Sequence, residues 1–159
     1  MLYSKMPVHS RIWIYQANRE FSAKELEEIK ITSDLFIEQW TSHNNRMNAC
    51  IEILYHRFIV IVADETTAPA SGCGIDKSVH FIQQLEKEYS VSLFDRMQVA
   101  YKKENVIQSC SLQQFEQLIA EGNINENTIV FNNLITTKQE METAWEVPLK
   151  NSWHAKLIR

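Results

Sequence analysis

The sequence predicts an α+β fold, a mixed or mainly antiparallel sheet with helices packed on it, in a single domain. Three observations predict it. Apolar, β-branched runs come in adjacent pairs, at 47–63 and 97–108, instead of alternating singly with helices. Segments with the 3.6-residue apolar period lie between those pairs. The 159 residues contain no Gly/Ser linker, low-complexity tract or internal repeat, and this length suits one core. A strictly alternating parallel α/β sheet is the competing arrangement.

The elements follow in order. RIWIYQ (11–16) consists of β-favouring residues and reads as a strand. Ser22 with Glu25 three residues later forms a capping box, and Phe21 and Leu26 stand where a hydrophobic staple belongs. Leu26, Ile29, Phe36, Ile37 and Trp40 then mark a helix to about Thr41. Thr32-Ser33-Asp34 is a weak patch at which that helix is expected to bend or split. MNACIEILYHRFIVIVADE fits two strands, about 47–55 and 58–63, turned at His56-Arg57. After a loop from Glu65 to Gly74, the residues Ile75, Val79, Ile82, Leu85 and Tyr89 mark an amphipathic helix over 75–89.

Met97 to Tyr101 and Val106 to Gln108 read as a strand pair turned at Glu104-Asn105. Ser111 caps a helix carrying Leu112, Phe115, Leu118 and Ile119, which stops at Gly122. Thr128 to Phe131 is a short strand, Lys138 to Trp145 a helix, and Ser152 to Ile158 a tail or edge strand. The ends, 1–9 and 150–159, read as peripheral.

Composition narrows the function classes. Net charge is −4 and the longest basic run is Lys102-Lys103, so no nucleic-acid partner is expected. The longest wholly apolar stretch, Phe58 to Ala63, is too short to cross a bilayer, so no membrane partner is expected. The amino terminus carries no apolar leader core, which makes the cytoplasm the expected location. Cys50, Cys73 and Cys110 show no C-x-x-C spacing, and the five histidines form no paired ligand motif. Neither a metal site nor a cofactor is implied. The chain has only 3 glycines, against roughly 11 for average usage. Its 11 asparagines, notably Asn44-Asn45 and Asn132-Asn133, read as the turn formers that replace them.

Two of the three glycines flank one cysteine in SGCGIDKS (71–78), between an apolar strand and a helix. Exposed N–H groups of a first helical turn, the helix dipole and close backbone approach at Gly72 and Gly74 suit an anion. Ser71, Gly72, Gly74, Lys77 and Ser78 are therefore the candidate ligand-binding residues for a small anionic ligand. Cys73 beside that terminus is the candidate nucleophile or redox thiol. The bland reading is a sharp strand-to-helix turn, with Ser71, Cys73 or Asp76 as its cap and Cys73 packed as a small apolar residue. A nucleotide-binding P-loop fits badly. Lys77-Ser78 match its last two positions, but Ser71 and Asp76 occupy its glycine positions. Asp76 would face the phosphates with the wrong charge, and the acidic pair Asp64-Glu65 precedes the Lys-Ser pair instead of following it.

The segments FIEQWTSH (36–43), RFIVIVADE (57–65), SGCGIDKSV (71–79) and LFDR (93–96) resemble a small bacterial family that automatic naming calls "ABC transporter ATPase". The resemblance covers most of the chain. The label implies a nucleotide-driven transport motor. The sequence departs from such a motor at both glycine positions, in motif order, in length and in lacking an L-S-G-G-Q signature.

A nucleophilic Cys73 needs a base or an anion-binding neighbour. His43, Arg96 and His154 are the candidates, each balanced by a plain reading as a turn histidine, a solvated arginine and a tail histidine. The C-x₅-R phosphatase spacing is absent, since Val79 stands at the arginine position. Trp145 and Trp153, in the C-terminal segment WEVPLKNSWHAKLI, either close over the core or present an interface to a homodimer or protein partner. Two functions stand. The first is a ligand-binding or protein-interaction domain without ATPase activity; the alternative is a cysteine-dependent enzyme or redox protein using Cys73.

Overall fold

The apolar run 58–63 organises the first half of the chain. The computed structural model describes residues 3–158; residues 1, 2 and 159, the outermost parts of the segments expected to be peripheral, lie outside them. The fold is α+β with antiparallel sheets. The strands divide among three sheets where one was expected, and the chain divides after Phe94 into two compact units.

In the first unit, β1 (Arg11–Gln16), β4 (Asn48–Leu54) and β5 (Phe58–Asp64) form a sheet in the order β1-β5-β4. Every residue from Phe58 to Ala63 is 0% exposed. A strand without solvent on either face must carry apolar side chains at consecutive positions, and this one does. Its register sets Ile61 opposite both Trp13 and Ile51. The face bearing Ile59, Ile61 and Ala63 lies in the core with Ile29, Ile37, Ile82 and Leu85 of α1 (Ala23–Gln39) and α2 (Gly72–Tyr89). Phe36 stacks on Phe81 across these helices, with ring centroids 4.4 Å apart.

The capping box forms as expected: the Glu25 amide donates to Ser22 Oγ and the Ser22 amide to Glu25 Oε1. Arg19 grips the same carboxylate through two hydrogen bonds of 2.8 and 2.9 Å and also donates to the Tyr89 carbonyl at the end of α2. That guanidinium, with the Ser22 amide, holds the Glu25 carboxyl down at about 2. The helix does not split at Thr32-Ser33-Asp34: α1 runs unbroken through these residues. Thr32 Oγ1 donates to the Glu28 carbonyl within the helix and Lys30 pairs with Asp34, so each polar side chain finds a helical partner or, at Ser33, is buried.

A small hairpin of β2 (Thr41–Ser42) and β3 (Asn45–Arg46), not foreseen, follows α1. Its turn residues with positive φ are His43 and Asn44, one position before the expected asparagine pair. Tyr55-His56 and Glu104-Asn105 turn the other two hairpins in the same left-handed geometry, which matches strand twist. Asparagine therefore supplies only part of the turn chemistry. The segment 1–9 is not wholly peripheral either, since Met6 is 3% exposed.

The second unit holds β6 (Gln98–Lys103), β7 (Val106–Ser111), β8 (Ile129–Phe131) and β9 (Glu146–Pro148) in the order β7-β6-β8-β9, with α3 (Leu112–Ala120) and α4 (Lys138–Ala144). Ser111 and Gln114 make a second capping box, and Gly122, at φ 80°, ends the α3 region. The core joins Val99, Tyr101, Phe115, Ile124, Val130 and Leu149.

The C-terminal segment is neither a loose tail nor an edge strand. Residues Trp153–Leu157 form a 3₁₀ turn, and His154 is 1% exposed. Its ring lies 5.6 Å from Phe115 and stacks on Trp153, while Nδ1 bonds with Ser152 Oγ at 2.7 Å. Burial pushes this imidazole down to about 4. The unfolded chain binds the proton near pH 6.5 and the folded one only near pH 4, so stability is undiminished above 6.5 and falls as pH drops towards 4. Urea unfolding should accordingly show about 2 kcal/mol less stability at pH 4.5 than at pH 7 from this group, and His154→Phe should flatten that difference.

Candidate functional site

The residues 71–78 build a helix start, not a loop. The expected loop ends at Ser71, and α2 begins at Gly72, three residues earlier than the apolar period indicates. The acidic pair upstream shapes the connection: Asp64 Oδ1 accepts from the Thr66 amide and hydroxyl, and Glu65 Oε2 accepts from the Ala70 amide.

The polar groups of this segment are committed to packing. Ser71 is the N-cap, but its hydroxyl bonds to Ser42 Oγ instead of capping, and its amide donates to the same Ser42 oxygen. Lys77 Nζ donates to the Thr41 carbonyl and hydroxyl at 3.1 and 2.9 Å. Ser78, 1% exposed, donates back to the Ile75 carbonyl. The two glycines differ in role. A Cβ at Gly72 would meet nothing within 4 Å, whereas one at Gly74 would stand 3.0 Å from Ser42 Cβ. Trp40 Nε1 donates to the Gly74 carbonyl at 2.8 Å. Gly74 is thus where the helix start presses on the 41–46 hairpin.

Cys73 lies exposed on the first turn of α2, and His43 lies exposed in the β2–β3 turn. Neither side chain has a hydrogen-bond or ion-pair partner among the described residues. Arg96 and His154 belong to the second unit. Arg96 is exposed beside a turn held by Asp95, whose Oδ1 accepts from the Met97 amide. His154 is enclosed, as described above, and both of its neighbours Ser152 and Trp153 are engaged with it. Trp145 is 5% exposed and donates to Asn133 Oδ1 at 2.9 Å. Trp145 is thus packed within its unit, while Trp153 is half-buried and stacks on His154.

A different feature stands out in the first unit. Helix α1 packs on β4, an edge strand paired only with β5 among the described residues. Between α1 and β4 runs an open groove of about 630 Å³. Leu26, Lys30, Ser33, Asp34, Ile37 and Glu38 line its helix side, so charged and apolar side chains alternate there, and the five consecutive residues Ala49 to Ile53 line its strand side. Ala49, Ile51 and Ile53 share the face packed against α1, and the 3₁₀ turn Tyr3–Lys5 also packs on β4. A smaller hollow of about 360 Å³ shares Ile37, Arg46 and Ala49 with it and extends it towards Met47 and Asn48.

Two groups in this groove are unusual. Ser33 is 2% exposed and its hydroxyl has no hydrogen-bond partner, a state that costs on the order of 1–3 kcal/mol. Glu52 is half-buried without a cationic partner among the described residues. Sequence reasoning missed this site. The signals were a serine seven residues after Leu26 in an otherwise apolar helical stripe, and one glutamate between Ile51 and Ile53.

Comparison of the chain with protein-family models, curated proteins and solved structures finds no match.

The two glycines should respond oppositely to alanine in urea unfolding. Gly72→Ala should stabilise by roughly 0.5 kcal/mol through helix propensity, and Gly74→Ala should destabilise by pushing on Ser42. Iodoacetamide should modify exposed Cys73 well before buried Cys50, with Cys110, whose thiol burial pushes up, reacting slowly between them at neutral pH. Peptide mapping of the alkylated sites reads the order.

Proposed function

We propose that the chain is a protein-interaction domain whose binding surface is the groove between α1 and β4, and that it is neither a transport ATPase nor a thiol enzyme. One observation carries this reading: an open groove lies beside a strand that pairs with β5 alone among the described residues, and its wall sets Leu26, Ile37, Ile51 and Ile53 among charged side chains that include Lys30 and Arg46. An open edge offers backbone donors and acceptors to another chain, and proteins that keep such an edge unused blunt it with proline, lysine or a bulge. The β4 run NACIEIL contains no proline or lysine. Ile51 and Ile53 are half-buried here, although Ile61 and Ile59 opposite them are 0% exposed.

The anion and thiol readings of 71–78 have less support. Ser71, Lys77 and Ser78 spend their polar groups on Ser42, Thr41 and Ile75, and Cys73 has no base bonded to it. The motor reading requires glycine where Ser71 and Asp76 stand. No helix is long and apolar enough to cross a membrane among the described residues. The cytoplasmic location belongs to the same proposal.

Selection of a random dodecapeptide library displayed on phage tests it. Enriched peptides should bind wild-type chain, lose about tenfold or more in affinity to Ile53→Asp, and bind Cys73→Ser unchanged. Circular dichroism confirms that Ile53→Asp is folded. Peptides that ignore Ile53→Asp, or a library that yields no binder, would overturn the proposal.

A further inference from the structure

We infer that residues 152–158 form an acid-released strap on the second unit, fastened by one enclosed side chain, His154. The strap belongs to the other unit from the groove and does not depend on that site. Two observations carry it. No hydrogen bond joins 153–158 to any residue outside 149–158 among the described residues: the Ser152 amide donates to the Leu149 carbonyl, the Ala155 amide to that of Ser152 and the Ile158 amide to that of Ala155. Side-chain packing therefore holds the stretch down, and among residues 152–158 His154 alone is buried.

The anchor has the wrong chemistry for a permanent one. A fully enclosed side chain that only packs is ordinarily apolar, as Leu149 and Phe115 are in the adjoining core. An imidazole packs as well while it is neutral, with the Phe115 ring 5.6 Å away and the Trp153 ring 3.8 Å away. A proton gained in that apolar enclosure would be a buried charge without a counter-ion.

The surrounding elements offer none. The cations of its own stretch, Lys150 and Lys156, can only add repulsion, and Lys156 Nζ lies 5.5 Å from the Trp153 ring centre. Tyr101 of β6 and Cys110 of β7, titratable groups of the same core, are pushed up by burial and stay neutral in acid. The carboxylates of α3 and the loop after it, Glu116, Glu121 and Glu126, are exposed, and Glu121 is held by Gln117 and Asn123. Glu146 of β9 pairs with Lys102. Burial sets the imidazole low, and no carboxylate raises it.

Detaching the strap returns the imidazole to water, where it takes a proton near pH 6.5; attached, it takes one only near pH 4. Above pH 6.5 neither form is protonated and the attachment is at full strength. Below 6.5 the detached form gains the proton first, and the equilibrium moves towards it by about fiftyfold between pH 7 and pH 4.5. Release puts Ala155 and Leu157 into water and uncovers Phe115 on α3.

Amide exchange of the intact chain, followed by NMR and corrected for the intrinsic rate at each pH, tests this. The Ala155 and Ile158 amides should be protected about tenfold less, or lower still, than the paired amides of β6 and β7 at both pH 7 and pH 4.5, because they open without the sheet. Their protection should fall about fiftyfold between those pH values, or vanish where it starts lower. His154→Phe should remove the fall, and His154→Leu takes its place if the larger ring does not fold. Protection equal to that of β6 and β7 would mean that the stretch leaves only with the whole unit, and would overturn the inference. So would protection of Ala155 and Ile158 that does not change with pH, or a fall that persists in either variant. A His154 Cε1 proton that titrates at 6.5 in the wild-type chain would overturn it without any variant.

Discussion

The complete desolvation of β5 is the constraint on which the first unit depends. Backbone N–H and C=O groups that reach no water must be paired, so a strand buried from Phe58 to Ala63 requires a partner along each side. β1 and β4 fill those places in register, and the consequence falls on them: each becomes an edge. β4 shows it in its composition. Facing an all-apolar neighbour, it keeps Asn48 and Glu52 and leaves its isoleucines only half-buried. The groove beside α1 is the space that this arrangement leaves open.

The second governing contact is at the start of α2. Backbone approaches side chain closely there: a Cβ at Gly74 would stand 3.0 Å from Ser42 Cβ, while Trp40 holds the Gly74 carbonyl. Ser71 and Lys77 add hydrogen bonds to the same short hairpin. A cluster of glycine, serine and lysine that chemically suits an anion is used here to dock a helix. The distinction lies in what those side chains already bond: Ser71, Lys77 and Ser78 each have a hydrogen-bond partner inside the unit.

The scarcity of glycine also takes on a different meaning. Of the three glycines only Gly122 occupies left-handed backbone, whereas Ser90 and the hairpin turns at His43-Asn44, Tyr55-His56 and Glu104-Asn105 also lie there. Non-glycine residues in that region carry a local cost, of order 1 kcal/mol each, that flanking strand pairs must offset. The ladders β4–β5 and β6–β7, each six or seven residues long, are the longest pairings beside such turns. Register imposed by the strands thus selects the turn geometry, and the local sequence follows it.

The sequence by itself determined the elements whose signals are local. The capping box at Ser22, the cap at Ser111, the helices they start, the strand pairs, with the first turn lying at Tyr55-His56 one residue before the expected His56-Arg57, and the α+β class all depend on residues within a few positions of one another. Tertiary structure decided what depends on distant neighbours. Whether Gly74 faces a ligand or Ser42, whether His154 titrates in water or beside Phe115, and which edge of the sheet stays open are set by chain segments tens of residues away. Burial, pairing and orphaned polar groups are properties of those long-range contacts. A residue's chemistry is written in the sequence, but its availability is decided by what packs against it.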